Sequence, residues 1–123
     1  MEIFVGNDII EVSRIANLIE NVKFLHRVFS DAEIEYCEGK ANKAQNYAAR
    51  FAAKEAVFKA LSSKLDSNYS INWKDISIEK SDNGRPIIVL FNHSEISDNY
   101  RFDVSLSNVK EYAVANVVMY SKN

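Results

Sequence analysis

One cysteine, one proline and three glycines in 123 residues leave the chain little covalent or conformational punctuation. The lone Cys37 excludes an internal disulfide and suits a reducing compartment. It ends the short pattern EIEYCEG, where a half-buried structural thiol is favoured over a nucleophile. No apolar run is long enough to span a bilayer or form a signal-peptide core, so the expectation is a cytoplasmic protein without a membrane partner. An excess of one charge is lacking too. Lys and Arg number 15 against 17 Asp and Glu, a net charge of −2, so no overall field draws the chain to nucleic acid and any basic patch is local. With no repeat, low-complexity tract or linker, residues 1–123 read as a single domain, and 47% apolar residues suffice for one core.

What is present changes period along the chain. MEIFVGNDIIEV is short and rich in Ile, Val and Phe, a strand with a polar interruption at Asn7 and Asp8. Ile15, Leu18, Ile19, Val22, Leu25 and Phe29 then recur at threes and fours, which predicts an amphipathic helix from about Ser13 toward His26. SDAE supplies a capping box, Ser30 with Glu33, and Gly39 closes the helix it opens. A third helix is expected from Lys43 to Lys64. DISIEK and RPIIVLF flank an Asn-Gly turn of the type I′ kind, and FDVSLS and YAVANVVMY make a second hairpin; NHSEISDNYR between them is a short helix or a loop. Strand, helices, then strands indicate an α+β domain, a mainly antiparallel sheet packed against a long central helix.

That central helix poses the functional question. RFAAKEAVFKAL is apolar around most of its circumference, yet it carries Lys54, Glu55 and Lys59. Stepping 100° per residue from Phe51, Ser62, Glu55 and Lys59 fall at about 20°, 40° and 80°, a narrow polar stripe, with Lys54 apart at about 300°. Glu55 and Lys59 either form a surface i,i+4 ion pair or belong to a site. Asp8, on a strand that otherwise reads as interior, either caps a turn or serves as a ligand. A strand aspartate and a helix glutamate could hold Mg²⁺, which takes oxygen donors and keeps waters, with a lysine as adjoining positive charge for phosphoryl transfer.

In this order the residues resemble holo-acyl-carrier-protein synthase, the small-subunit class of phosphopantetheinyl transferase. VGNDIIEVSRI is similar to that family's opening motif, with Asp8, Arg14 and Ile15 in its places; RFAAKEAVFKAL matches the second motif; WKDISIEKSDNGRPIIVL and FDVSLSNVKEYAVANVVM resemble the two hairpins. The resemblance implies Mg²⁺-dependent transfer of 4′-phosphopantetheine from coenzyme A to a serine of apo acyl carrier protein, releasing 3′,5′-ADP. It implies that Asp8 and Glu55 hold the metal and that Lys59 stabilises the leaving phosphate, the three forming the catalytic set. Coenzyme A contacts would come from Arg50, Lys54, Ser62, Asn83, Gly84, Arg85, Pro86 and Asn108. Arg14, Lys23 and Arg27 would dock the acidic carrier protein, and the assembly would be a homotrimer with shared active sites.

Two departures stand out. The closing motif reads SLSN, so Asn108 occupies the position of a histidine and can carry neither a proton nor a charge. SSKLDSNYSIN replaces a glycine-rich turn, which restricts backbone approach to a phosphate. Neither His26 nor His93 is placed to substitute; each reads as a surface or capping residue. A catalytically impaired relative that binds coenzyme A or carrier protein without transfer is the alternative. A nucleic-acid-binding α+β domain has the negative net charge and the lack of an RNP-type motif against it.

Overall fold

The computed structural model describes residues 1–62, 64 and 71–123. Strand β1 (Ile3–Glu11) leads into helix α1 (Val12–Leu18), then α2 (Val22–Val28), α3 (Asp31–Glu38) and the long α4 (Lys43–Leu61); β2 (Ile76–Lys80) and β3 (Pro86–Leu90) form a hairpin, and a short α5 (Ser94–Ser97) precedes β4 (Tyr100–Asn108) and β5 (Tyr112–Ser121). All strand pairs are antiparallel, in a three-stranded sheet of order β1-β5-β4 and a two-stranded sheet β2-β3. This is the expected α+β architecture, divided into two sheets.

Helix α4 lies across β1 and β5, with α1 and α3 on its other sides. Ala48, Ala49, Ala52, Ala53, Ala56 and Ala60 give it a thin profile, so strand and helix backbones come close. Around its far side Phe51 stacks on Trp73 at 5.2 Å between ring centres, and Phe58 meets the same indole edge-on at 5.1 Å. Cys37 is fully buried, and desolvation pushes its thiol up to about 12, which leaves it inert as a nucleophile.

Three local expectations are corrected. The first helix is two helices: the Asn21 side chain accepts from the Lys23 and Phe24 amides at 2.9 and 3.2 Å and starts a new one, while the apolar period carries on across the break. Helix α4 ends at Leu61, and most of SSKLDSNYSIN, with the chain's Leu65, lies outside the described residues. The hairpin turn is not type I′, because Gly84 has φ 84° but Asn83 is not in the left-handed region. Ser81 and Arg85 instead bracket a three-residue loop in which the Gly84 amide donates to the Ser81 carbonyl at 2.9 Å and Gly84 makes the bulge.

Candidate active site

Alternation along β1 turns Gly6, Asp8 and Ile10 toward α4 and leaves Val5, Asn7 and Ile9 on the outer face. A Cβ on Gly6 would overlap the carbonyl oxygen of Ala56 and stand 2.9 Å from the Ala60 nitrogen, so strand and helix cross in backbone contact there. Two residues along the same strand face, Asp8 therefore arrives beside Glu55 and Lys59, the immediate neighbours of Ala56 and Ala60. Lys59 Nζ lies 3.2 Å from Asp8 Oδ1 and donates to the Asn7 carbonyl at 2.8 Å. The surface pair of Lys59 with Glu55 does not form; the lysine reaches across to the strand instead. The Asp8 side chain is 17% exposed and that of Lys59 53%, so the cluster opens to solvent on its lysine side.

Glu55 is half-buried, and desolvation holds its carboxyl above its ordinary value. The Asp8 carboxylate adds to the rise, while Lys59 and Arg14 oppose it. The strand aspartate and the helix glutamate thus share one electrostatic environment although 47 positions separate them in the sequence. Among the described residues no group of three or more His, Cys, Asp or Glu is arranged to hold a metal. Any cation here would have two protein carboxylates and would take its remaining oxygen ligands from water or substrate, as Mg²⁺ does.

A second group gathers at a cavity of about 230 Å³ beside the N-terminal half of α4, whose lining includes Arg50, Gly84, Pro86 and Asn108 from the expected set. Arg50 is 4% exposed; its Nη1 donates to the Asn46 carbonyl at 3.3 Å, and its Nε is buried with no hydrogen-bond partner among the described residues. Tyr36 and Lys80 are among the lining residues that escaped the sequence reading. The Tyr36 ring has the Arg50 guanidinium 4.3 Å from its centre, Lys40 Nζ at 4.6 Å and Lys80 Nζ at 5.2 Å. Lys80 at the hydroxyl holds this phenol below its ordinary value. Nothing in the spacing of EIEYCEG or DISIEK marks these two, since cavity walls built from separate elements leave no local period.

The other candidates lie elsewhere. Lys54 is not brought to either group: it is fully buried against Glu33 of α3, at 2.7 Å. The Ser62 hydroxyl donates to the Lys59 carbonyl at 2.7 Å, within its own helix end. Asn83 braces the hairpin loop through the Ser81 hydroxyl and the Arg85 amide, and Arg85 is exposed, 3.8 Å from Asp103. Arg14 on α1 and Lys23 and Arg27 on α2 are exposed, and Arg14 lines a groove with Ile9, Glu11 and Tyr112. His26 is exposed, but His93 is largely buried, 2.8 Å from Asp75.

The chain is similar to known proteins over nearly its whole length. A family model described as the 4′-phosphopantetheinyl transferase superfamily matches residues 4–117. The chain is 46% identical to the holo-[acyl-carrier-protein] synthase of Ruminiclostridium cellulolyticum, over 97% of this chain and 92% of that one, and 41% identical to that of Clostridium acetobutylicum over 94% of each. Among solved structures, the Helicobacter pylori holo-[acyl-carrier-protein] synthase in complex with coenzyme A superposes with a TM-score of 0.79 at 31% identity, covering 94% of this chain and 99% of that one. The Bacillus anthracis enzyme, in complex with CoA (3′,5′-ADP), gives 0.78 at 30% identity over 98% and 96%.

Proposed function

This chain belongs to the 4′-phosphopantetheinyl transferase superfamily, and we propose that its Asp8, Glu55 and Lys59 carry the group transfer. The reaction moves 4′-phosphopantetheine from coenzyme A to a serine of an acyl carrier protein, as in the holo-[acyl-carrier-protein] synthases it matches over nearly its whole length. The serine hydroxyl releases its proton as its oxygen forms a bond to the β-phosphorus of the pyrophosphate, the bond to the bridging oxygen breaks, and 3′,5′-ADP leaves with that electron pair. The observation that carries the site assignment is the meeting of Asp8, Glu55 and Lys59 at the crossing of β1 and α4.

The donor set suits Mg²⁺. Asp8 and Glu55 are held close enough for Asp8 to raise Glu55, a repulsion that a divalent cation held by these two carboxylates would relieve. Magnesium, when bound, supplies positive charge to the pyrophosphate oxygens. Lys59, anchored on the Asn7 carbonyl and free on its solvent side, neutralises or protonates the leaving phosphate. Asp8 and Glu55 orient the phosphates by fixing where positive charge can sit.

The cavity of Arg50, Lys80, Tyr36 and Asn108 takes the anionic nucleotide end of coenzyme A, with Arg50 and Lys80 supplying positive charge to it. None of Asp8, Glu55 or Lys59 lines that cavity. A homotrimer whose neighbouring copies share each site would bring the cavity of one chain to the cluster of the next. The outer face of β1 supports such an interface, with Val5 70%, Ile9 62% and Ile3 61% exposed in a row. Arg14, Lys23 and Arg27 offer an exposed basic surface to an acidic carrier protein. Among the described residues no helix is long and apolar enough to cross a membrane.

The test is to incubate the protein with coenzyme A, Mg²⁺ and an apo carrier protein and to weigh the carrier. A gain of one phosphopantetheine is expected. Binding of coenzyme A with no gain would overturn transfer, and full activity in Asp8→Asn would overturn the site.

A further inference from the structure

Lys54 and Glu33 are both 0% exposed, and the Lys54 ammonium bonds to Glu33 and backbone carbonyls rather than to Asp8, Glu55 or Lys59. Lys54 Nζ lies 2.7 Å from Glu33 Oε1 and donates to the carbonyls of Val28 at 2.8 Å, Trp73 at 3.0 Å and Ile76 at 2.6 Å. Four acceptors surround an ammonium with three protons, so its hydrogen-bonding capacity is saturated. Glu33 is equally committed: Oε1 accepts from the Ser30 amide at 2.8 Å and Oε2 from the Ile78 amide at 2.7 Å. The Ser30 and Ser77 hydroxyls meet at 2.7 Å beside them. Elements α2, α3, α4 and β2 are therefore pinned at one point.

Three of the four pinned elements, α3, α4 and β2, also carry a wall of the Arg50 cavity. Tyr36 lies three residues beyond Glu33 on α3, one helical turn away. Arg50 lies four residues before Lys54 on α4, again one turn. Lys80 lies two residues beyond Ile78 on β2, on the same strand face. The Arg50 guanidinium of α4 and the Lys80 ammonium of β2 converge on the Tyr36 ring of α3. A buried ion pair is weak evidence for stability, because desolvation offsets its attraction, but it specifies one geometry.

We propose that the Lys54–Glu33 pair is a positioning device for the substrate cavity, holding Tyr36, Arg50 and Lys80 at the spacing that the phosphates of coenzyme A require. The inference rests on the assignment of that cavity to coenzyme A. It concerns Lys54 as a residue acting through others, in place of the direct phosphate contact expected from the sequence.

The experiment measures kcat, KM for coenzyme A and Tm for Glu33→Gln, which keeps the side-chain volume, and for Lys54→Met combined with Glu33→Met, which removes both charges. KM for coenzyme A should rise on the order of tenfold while kcat stays within about twofold. A lowered Tm with KM within about twofold of the parent in either folded variant overturns the proposal, since it would mark a purely structural pair. On the unaltered protein, coenzyme A should slow hydrogen exchange at the Ser30 and Ile78 amides, both held by Glu33; unchanged exchange at both overturns it as well. An unaltered protein that transfers nothing would instead refute the transfer reaction.

Discussion

Gly6 and Ala56 touch backbone to backbone: a methyl group on Gly6 would overlap the Ala56 carbonyl oxygen. The obstruction is main chain on both sides, so no rotamer change relieves it, and Gly6→Ala forces β1 away from α4. The cost should be about 1–3 kcal/mol of stability, the usual range for overpacking. Asp8 rides on the displaced strand, so transfer should fall on the order of a hundredfold. Thermal melts and kcat on the folded variant check both. A variant as active as the parent would separate the strand crossing from the site.

Glu55→Gln should uncouple stability from activity. Glu55 has its folded pKa raised above the ordinary 4.5 by burial and by Asp8. The protonated form is the one the fold favours, so its contribution to stability is present below 4.5 and is lost as pH rises through the raised value. At neutral pH the ionised carboxylate is a liability that the neutral amide lacks. In the absence of metal, the variant's Tm should exceed the parent's by about 2–4 °C at pH 7.5, with the difference shrinking as pH falls. Adding Mg²⁺ should raise the parent's Tm and leave the variant's unchanged, while transfer drops on the order of a thousandfold. Equal Mg²⁺ response in both proteins would remove Glu55 from the metal site.

Lys59→Met tests the lysine with little disturbance to the fold. Its side chain is 53% exposed, and exposed ion pairs contribute about 0–1 kcal/mol. Tm should therefore move by less than about 3 °C. The leaving phosphate loses its positive neighbour, so kcat should fall on the order of a hundredfold with KM for coenzyme A nearly unchanged. A selective rise in KM would reassign Lys59 to ground-state binding.

The residue types of the cluster were legible in the sequence because charge on an apolar helix needs an explanation, and Glu55 and Lys59 stand a turn apart on one stripe. Their meeting with Asp8 was carried by family resemblance alone, since no period links a strand to a helix 47 residues on. Lys54 shows the opposite limit: a wheel places it off the stripe, but only the tertiary packing of α2, α3 and the chain entering β2 supplies Glu33 and three carbonyls. The Asn-Gly signal correctly marked a hairpin and missed its loop, because Asn83 serves through its side chain and Gly84 alone takes positive φ. Gly6 was readable in principle, as a glycine inside a strand signals close backbone approach.

Asn108→His restores the imidazole that the closing motif lacks, and the structure sets what it can do. Asn108 lines the cavity with Arg50 and Lys80, and among the described residues its amide makes only a long 3.5 Å contact to Gln45. A histidine placed there faces two permanent cations, which disfavour its charged form and draw its pKa below the ordinary value of about 6.5. At pH 7.5 it would be neutral and would offer one N–H, as the asparagine amide already does. The variant should therefore match the parent within about threefold in kcat/KM at pH 7.5, with any gain confined to acidic pH. A pH profile of kcat/KM for both proteins checks this. A large gain at pH 7.5 would mean that substrate phosphates, by adding negative charge, outweigh Arg50 and Lys80 and keep the imidazole protonated, and that the asparagine costs this enzyme a working charge.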